Sequence, residues 1–375
     1  MYPTEQKNEF SRGWRTLLAS SLGNAAGLSG LPFYTFGVFV VPLTVAFGWT
    51  RGEASGAASS LILGTAITAP FVGLLIDRIG TRRVALASLA GLALGYVLLT
   101  QLRGSVAWFY AAWLAMSLIG GGTTPVVWTR AVTIWFDRSR GLALGLTLAG
   151  SGLASIVGPI YCTALIERFG WQAGYLGVGA IIAFLAIPLV ALLFKEYPQT
   201  ETKHATAAPD LPGLTFQQAV RTPAYWRIAI SFLFISGAIT ALLINIVPLL
   251  IDRGLTSVEA AQMAGTMGIA VLVGRIVVGM LLDRFAAPRV TLVLLTATAA
   301  GCLALVSEQT PTWLLLLSVV SLGFAAAAEV DLVAFLVSRY FGLKAYGRTY
   351  GSQLTAFYIG AAIGPALIGI AYDRF

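Results

Sequence analysis

Charge is what this chain has least of. Asp, Glu, Lys and Arg make up only 11% of its 375 residues, against roughly 25% in soluble domains. A soluble fold would need far more of them to cover its surface, so that class is excluded at the outset. Histidine occurs once, as His204 in a polar stretch, which rules out histidine relays and histidine metal sites within apolar segments. The two cysteines, Cys162 and Cys302, lie far apart in apolar surroundings. Neither has the neighbours a metal motif needs, so buried packing is their expected role, and no cofactor or metal is expected. A phosphate loop, a nucleophile elbow and a His/Cys cluster are all missing, so the chain does not read as an enzyme. A cleavable signal peptide is not evident, because the first apolar segment is too long and leads directly into the next.

What the chain has instead is apolar length. Hydrophobic residues make up 57% of it, and a spanning helix needs about 20 of them in succession. Eleven such segments are expected: 16–47, 55–76, 84–102, 107–135, 142–166, 171–194, 225–251, 260–282, 290–307, 312–338 and 347–372. The short connections between them carry seventeen Lys and Arg on one face of the membrane and five on the other. The positive-inside rule then puts the N-terminus and the loop at 195–224 in the cytoplasm of a cell whose inner (plasma) membrane holds the protein. The net charge of +8 is spread over many short loops. That is mostly a topology signal of a chain whose partner is the lipid bilayer, not the clustered basic surface of a nucleic-acid binder.

Residues 22–169 and 228–375 repeat one pattern at an offset of 206. Pro42-Leu43 returns as Pro248-Leu249, Glu53-Ala54 as Glu259-Ala260, Gly73…Asp77-Arg78 as Gly279…Asp283-Arg284, and Gly158-Pro159 as Gly364-Pro365. A doubled membrane bundle is the usual architecture of a secondary transporter. The expected organisation is an N-terminal six-helix bundle over 1–194, a proline-rich cytoplasmic linker over 195–224, and a C-terminal bundle over 225–375 with five helices. The repeat predicts a twelfth segment near 377–400, after the last residue of this sequence. Within the linker, 213–220 is expected to form a short surface helix. Glycine clusters inside the apolar segments, for example Gly145, Gly150 and Gly152, and Gly351, Gly360 and Gly364. Small residues there let membrane helices approach closely.

Between the second and third segments stands Gly73-Leu-Leu-Ile-Asp77-Arg78-Ile-Gly80-Thr-Arg82-Arg83. An aspartate at a helix end beside three arginines in a glycine-bent loop can latch two helices and release them, which makes Gly73, Asp77, Arg78, Gly80, Arg82 and Arg83 candidate gating residues. The spacing resembles the cytoplasmic loop signature of the major facilitator superfamily; the second copy, Gly279…Asp283-Arg284 with Arg289, is degenerate. Pro32-Phe-Tyr34-Thr-Phe-Gly37, Phe47-Gly-Trp49-Thr-Arg51, Trp135-Phe136-Asp137-Arg138-Ser-Arg140-Gly141 and Tyr340-Phe341-Gly342 are similar to the monocarboxylate porter and oxalate–formate exchanger branch. The resemblance implies an all-α integral membrane protein with the major facilitator fold, two pseudo-symmetric six-helix bundles of which this chain carries eleven spans. It implies a cavity lined by the first, fourth, seventh and tenth helices, and an absent twelfth helix would strip only the periphery. A monomer is expected.

Ionisable groups at bilayer depth cost about 2.5–3.5 kcal/mol or more each and persist for function or pairing. Arg275, within AVLVGRIVVGM, is too deep to reach either surface and offers a permanent guanidinium fork to a carboxylate. The porter branch places a substrate-associated arginine in the eighth helix, which Arg275 matches, while the aspartate often found one turn earlier is here Val271. Glu329 and Asp331 lie at similar depth in AAAAEVDLVAF and are about 200° apart around their helix, so only one of them can face Arg275 squarely. They are the candidate proton-coupling residues. Arg130 is a second candidate cationic contact, with pairing to Asp137 or Glu329 as the alternative. Tyr34, Asn245, Tyr358 and Trp128 could offer a hydrogen bond or an aromatic wall to a small ligand. Residues 351–370 contain no Lys or Arg, which favours a monoanion over the dianion that an eleventh-helix lysine serves in the oxalate exchangers. The expected function is proton-coupled symport of a small monocarboxylate, lactate- or pyruvate-like, by alternating access. Organic-anion exchange or efflux on the same fold is the alternative.

Overall fold

A computed structural model describes residues 3–196, 212–306 and 310–374; His204 lies outside them. Apart from one isolated bridge between Gly213 and Gly342, every described element is helical. In chain order they are α1 (Pro3–Ala26), α2 (Leu31–Phe47), α3 (Arg51–Ile79), α4 (Thr81–Leu99), α5 (Val106–Ile119), α6 (Pro125–Trp135), α7 (Arg140–Phe169), α8 (Trp171–Ala180), α9 (Ile187–Leu193), α10 (Phe216–Val220), α11 (Pro223–Asp252), α12 (Ser257–Arg284), α13 (Ala287–Val306), α14 (Thr312–Tyr340) and α15 (Tyr346–Arg374). Among the described residues, ten stretches are long and apolar enough to cross a membrane. The eleventh expected span coincides with α15, 29 residues long. Large apolar side chains such as Val45, Phe184, Leu192 and Leu303 stand three-quarters exposed. That pattern suits a lipid-facing surface.

Three spans differ from the uninterrupted helices expected. The first breaks at 27–30 between α1 and α2. Side chains at Gly27 and Gly30 would overlap the carbonyl oxygens of Thr123 and Ala25, so only glycine fits there. The fourth breaks at a tight turn, Gly120–Thr123, between α5 and α6. Three successive glycines weaken the helix and Pro125 opens the next one. The two breaks meet: the Leu28 N–H donates to Thr123 Oγ1 at 3.0 Å. The sixth span carries a widened turn, Ile181–Ala186, just before Pro188, whose ring displaces the carbonyl four residues earlier. The linker forms its short helix at Phe216–Val220.

The repeat is explained by local chemistry at both copies. Thr50 caps α3 and Thr256 caps α12, each in a reciprocal box with the glutamate three residues on. Thr256 N–H donates to Glu259 Oε2 at 2.9 Å, and this backbone hydrogen bond holds the Glu259 carboxyl below its ordinary range. The cap is therefore intact above that range and weakens on acidification. The Phe-Gly-Trp-Thr motif reads the same way. Gly48 ends α2 in the left-handed region at φ 70°, and Trp49 anchors the loop by donating to the Gly104 carbonyl at 2.9 Å.

The chain resolves into two compact units: 1–137 with 147–216 and 341–352, and 138–146 with 217–340 and 353–375. In the first, Phe39 stacks on Tyr175 at 3.9 Å, beside Tyr96 and Trp113. In the second, Ile246, Leu250, Leu315, Val319 and Leu322 form an aliphatic core between α11 and α14. Helices in both approach through glycine: Gly150 lies on the Ser21 carbonyl, and Gly360 and Gly364 lie on Leu233 and Gly237. Gly37, by contrast, has no atom within 4 Å of where its Cβ would stand. Gly150→Val is expected to destabilise by about 1–3 kcal/mol or more through the α1–α7 clash, whereas Gly37→Val leaves the melting temperature of the detergent-solubilised protein nearly unchanged. Equal melting temperatures for the two variants would remove glycine approach as the packing principle.

Candidate functional site

Arg275 projects from the middle of α12 and Asp331 from the middle of α14. The Arg275 Nη1 donates to Asp331 Oδ1 at 3.0 Å, with side-chain exposures of 10% and 1%. The contact is one-sided. Arg275 Nε and Asp331 Oδ2 are both buried without a hydrogen-bond partner. A guanidinium fork offers five donors and commonly grips a carboxylate with two of them, so this pair leaves coordination unused on both sides. Glu329, two residues before Asp331, is 7% exposed, and its Oε2 is buried without a partner. The helical angle expected from sequence is realised: Asp331 meets Arg275 and Glu329 does not.

The other expected ligand contacts distribute differently. Arg130 is buried on α6 and its Nη1 pairs with Asp77 Oδ1 on α3. The anticipated partners, Asp137 and Glu329, are not those observed. Trp128 is fully buried, donates from Nε1 to the Thr123 carbonyl at 2.9 Å, and fills the space over Gly23. These contacts place Trp128 in the packing between helices. Asn245 returns its amide to its own helix, donating to the Ala241 carbonyl at 2.8 Å. Tyr34 and Tyr358 are half-buried on α2 and α15, each edge-on to the preceding phenylalanine at 5.2 and 5.5 Å.

The loop motif also corrects its expectation. Asp77 is held by Arg130 and by the start of α15, not by the arginines of its own loop. The Arg348 N–H donates to Asp77 Oδ2 at 3.3 Å, and the Gly347 amide adds to it. Arg78 and Arg83 are exposed. Arg82 is exposed and donates to the Ala191 carbonyl at 2.5 Å, beside Glu196. Gly80 turns the chain at φ 90°. Gly73 and Gly347 lie face to face, each where a Cβ would strike the other's carbonyl oxygen, and Gly351 lies on the Ala69 carbonyl.

The second copy, degenerate in its arginines, builds the same device. Asp283 Oδ1 accepts from Gly141 N–H at 2.6 Å and Oδ2 from Leu142 N–H at 2.9 Å, at the start of α7. Gly279 and Gly141 face each other, and Gly145 lies on the Arg275 carbonyl. Each position corresponds to its counterpart at the offset of 206: 73 to 279, 77 to 283, 141 to 347, 145 to 351. In both, a carboxylate caps a helix N-terminus, where unpaired amides and the helix dipole favour negative charge. Each latch joins a helix of one repeat to a helix of the other. The Gly141/Gly347 and Gly145/Gly351 pairs at the offset of 206 are the sequence signal of this device, and they lie outside the arginine-rich loop motif.

Removing one partner of a buried ion pair strands the other, at about 3–5 kcal/mol, whereas replacing both is far milder. Arg130→Met should therefore lower the thermal stability of the purified protein more than Arg130→Met combined with Asp77→Asn. A double variant as unstable as the single one would mean that Asp77 and Arg130 are not coupled.

Comparison with known proteins agrees with this architecture. The family model described as Major Facilitator Superfamily matches residues 22–365. An uncharacterised MFS-type transporter of Escherichia coli, YhjX, is 27% identical over 354 residues, 94% of this chain and 85% of the relative. Monocarboxylate transporter 13 of Bos taurus is 25% identical over 366 residues, 96% of this chain and 82% of the relative. Among solved structures, the E. coli fucose:proton symporter superposes with a TM-score of 0.72 at 15% identity, covering 96% of this chain and 92% of that one. Repeated bundles, paired latches and a family match over nearly the whole length lead to one conclusion: this chain belongs to the Major Facilitator Superfamily and is a multi-pass membrane transporter.

Proposed function

We propose that the chain is an inner-membrane carrier of a small monocarboxylate of the lactate or pyruvate kind, coupled to protons and working by alternating access. One observation carries the reading. Arg275 is a permanent cation at bilayer depth, held to Asp331 by a single hydrogen bond, with its Nε unengaged. A cation retained only for structure would be expected to use its fork fully, because unused buried donors are costly. A pair left half-made suits a site in which a second carboxylate replaces the first. The likeness to monocarboxylate transporter 13 supports the substrate class. The absence of Lys and Arg from 351–370 supports a single negative charge on the substrate.

In this reading the N-terminal bundle is 1–194, the linker 195–224 and the C-terminal bundle 225–375, with the N-terminus cytoplasmic. Asp77 and Asp283 act as the gate, their carboxylates leaving the N-termini of α15 and α7 as the cavity changes side. Such latches suit switching because charge-assisted hydrogen bonds to exposed helix ends can be exchanged for water at little net cost.

The test is a thermal-shift and uptake panel of formate, acetate, pyruvate, L-lactate and oxalate on the purified chain. A monocarboxylate should raise the melting temperature of the wild type, through linkage of binding to folding. Arg275→Ala alone would strand Asp331, so the informative variant is Arg275→Ala with Asp331→Ala. It is expected to stay folded and to lose at least about 100-fold in affinity, as truncation of a buried charged contact costs about 2–5 kcal/mol. Stabilisation by a monocarboxylate that survives in the double variant would end the anchor assignment. Counterflow of oxalate in the absence of a pH gradient would replace symport by exchange.

A further inference from the structure

The two acids of α14 differ in partner, and the repeat shows why. Glu329 stands at the position that Thr123 occupies in the first repeat, by the offset of 206. Thr123 has a structural task there: its hydroxyl accepts the Leu28 N–H that the break between α1 and α2 leaves free. The equivalent of that break, 233–236, lies inside α11, which runs unbroken from Pro223 to Asp252. Its amides are spent within the helix. The site therefore keeps a polar side chain where the second repeat supplies nothing for it to bond, and enlarges it to a carboxyl.

The elements packed on α14 offer Glu329 no other counter-charge among the described residues. Between 228 and 251, α11 has no ionisable side chain, and between 290 and 306, α13 has only Cys302. Between 262 and 282, α12 has Arg275 alone, already bonded to Asp331. Arg138 lies in the turn before α7 and Arg140 opens that helix; Arg140 reaches Ser338, more than two helical turns further along α14. Past residue 352, α15 offers Tyr358 and no charged side chain up to 365.

We infer that Glu329 and Asp331 divide the work: Glu329 stays protonated as a resident hydrogen-bond donor, and Asp331 is the counter-ion that takes up the cargo proton. This rests on the monocarboxylate reading above and deepens it. Without substrate the site holds Arg275 positive, Asp331 negative and Glu329 neutral, a balanced set. An ionised Glu329 would leave one uncompensated negative charge in a buried setting. When a substrate carboxylate takes the Arg275 fork, Asp331 loses its cation, and the set is again short of one positive charge. One proton drawn from the water of the side the substrate came from binds an Asp331 oxygen and restores balance. Release reverses each step on the other side: the substrate leaves, Asp331 gives its proton to water and returns to Arg275. The Glu329 O–H never leaves. It is the donor free to meet a substrate oxygen that the arginine does not hold.

The experiment measures protons taken up per pyruvate or L-lactate bound, with a pH indicator in weakly buffered detergent solution. Wild type should take up one proton for each acid bound, and its affinity should fall about tenfold per pH unit in the alkaline range, as one linked proton requires. Asp331→Asn should bind without proton uptake and with an affinity independent of pH. Glu329→Gln keeps a donor and neutrality, so it should retain the one-proton stoichiometry with less than about a tenfold loss of affinity. Infrared spectroscopy gives a second readout that needs no binding. Ligand-free wild type at neutral pH should show a protonated-carboxyl band that Glu329→Gln lacks, and pyruvate should add a second that Asp331→Asn lacks. Loss of proton uptake in Glu329→Gln, its retention in Asp331→Asn, or no protonated carboxyl in the ligand-free protein overturns the division of labour. Binding that persists without Arg275 and Asp331, or a wild type that binds neither acid, overturns instead the reading it rests on.

Discussion

An ionised side chain within a bilayer must find an opposite charge or change its protonation, and this constraint organises the protein. Asp77 finds Arg130, and Asp331 finds Arg275. Backbone groups face the same demand, since lipid offers them no hydrogen bonds. Where α1 breaks, the freed Leu28 amide is taken by Thr123. Where the first repeat ends a span, Gly48 and Thr50 close one helix and open the next. Buried polar atoms without a hydrogen-bond partner also occur at neutral groups such as Asn24, Tyr96, Tyr175 and Gln353; those of Arg275, Asp331 and Glu329 belong to a guanidinium and two carboxyls gathered on α12 and α14, where a membrane interior penalises an unpaired charge most.

The two latches show which part of a motif is mechanical. The first carries arginines at 78, 82 and 83; the second carries Arg284 and Arg289 and little else of the pattern. Yet the second holds its aspartate by two amides, at 2.6 and 2.9 Å. What both retain is a carboxylate at the end of one helix, a helix N-terminus opposite, and glycine on both sides so that the backbones can meet. The arginines are therefore not what fastens the helices. Arg82 instead ties the loop to the end of α9 through the Ala191 carbonyl, and the remainder suit the positive face of a membrane protein. The compact units follow the same logic, since 138–146 groups with the second repeat and 341–352 with the first. These are the segments that each aspartate holds.

Much of this is legible in the amino-acid sequence. Apolar runs of twenty residues announce spans, and the burial of Arg275, Glu329 and Asp331 agrees with their place in the middle of such runs. Other features were not legible, for identifiable reasons. Glycine in a membrane helix serves close packing at Gly150 and Gly360 but permits a break at Gly27–Gly30 and Gly120–Gly122, and composition does not separate the two uses. The partner of Arg130 depends on how α3 and α6 face each other, which no local pattern encodes, so the sequence points to Asp137 or Glu329 and the fold supplies Asp77. Trp128 lies within one turn of Arg130, yet the free space over Gly23 drew it into the packing between helices. An aromatic residue is recruited by whatever void a neighbouring glycine leaves, and that void exists only in the folded bundle.

The repeats finally differ where they should be most informative. Thr123 and Glu329 occupy equivalent places, as do Ala69 and Arg275. At the second pair the backbone contact is the same in both copies: the carbonyl of Ala69 receives Gly351 and that of Arg275 receives Gly145. The side chain at 275 was thus free to change, because the scaffold uses only its main chain there. At 123 the opposite holds, since the first repeat needs the hydroxyl to close a broken helix, and the second, with α11 unbroken, does not. Duplication followed by relief from a structural task is a direct route to a charged site in one half of a symmetric carrier. A cation could be tolerated at 275 only if an acid rose opposite it on α14, and that acid is Asp331. Glu329, which answers no structural need that either repeat displays, is then the residue whose burial asks for a functional explanation.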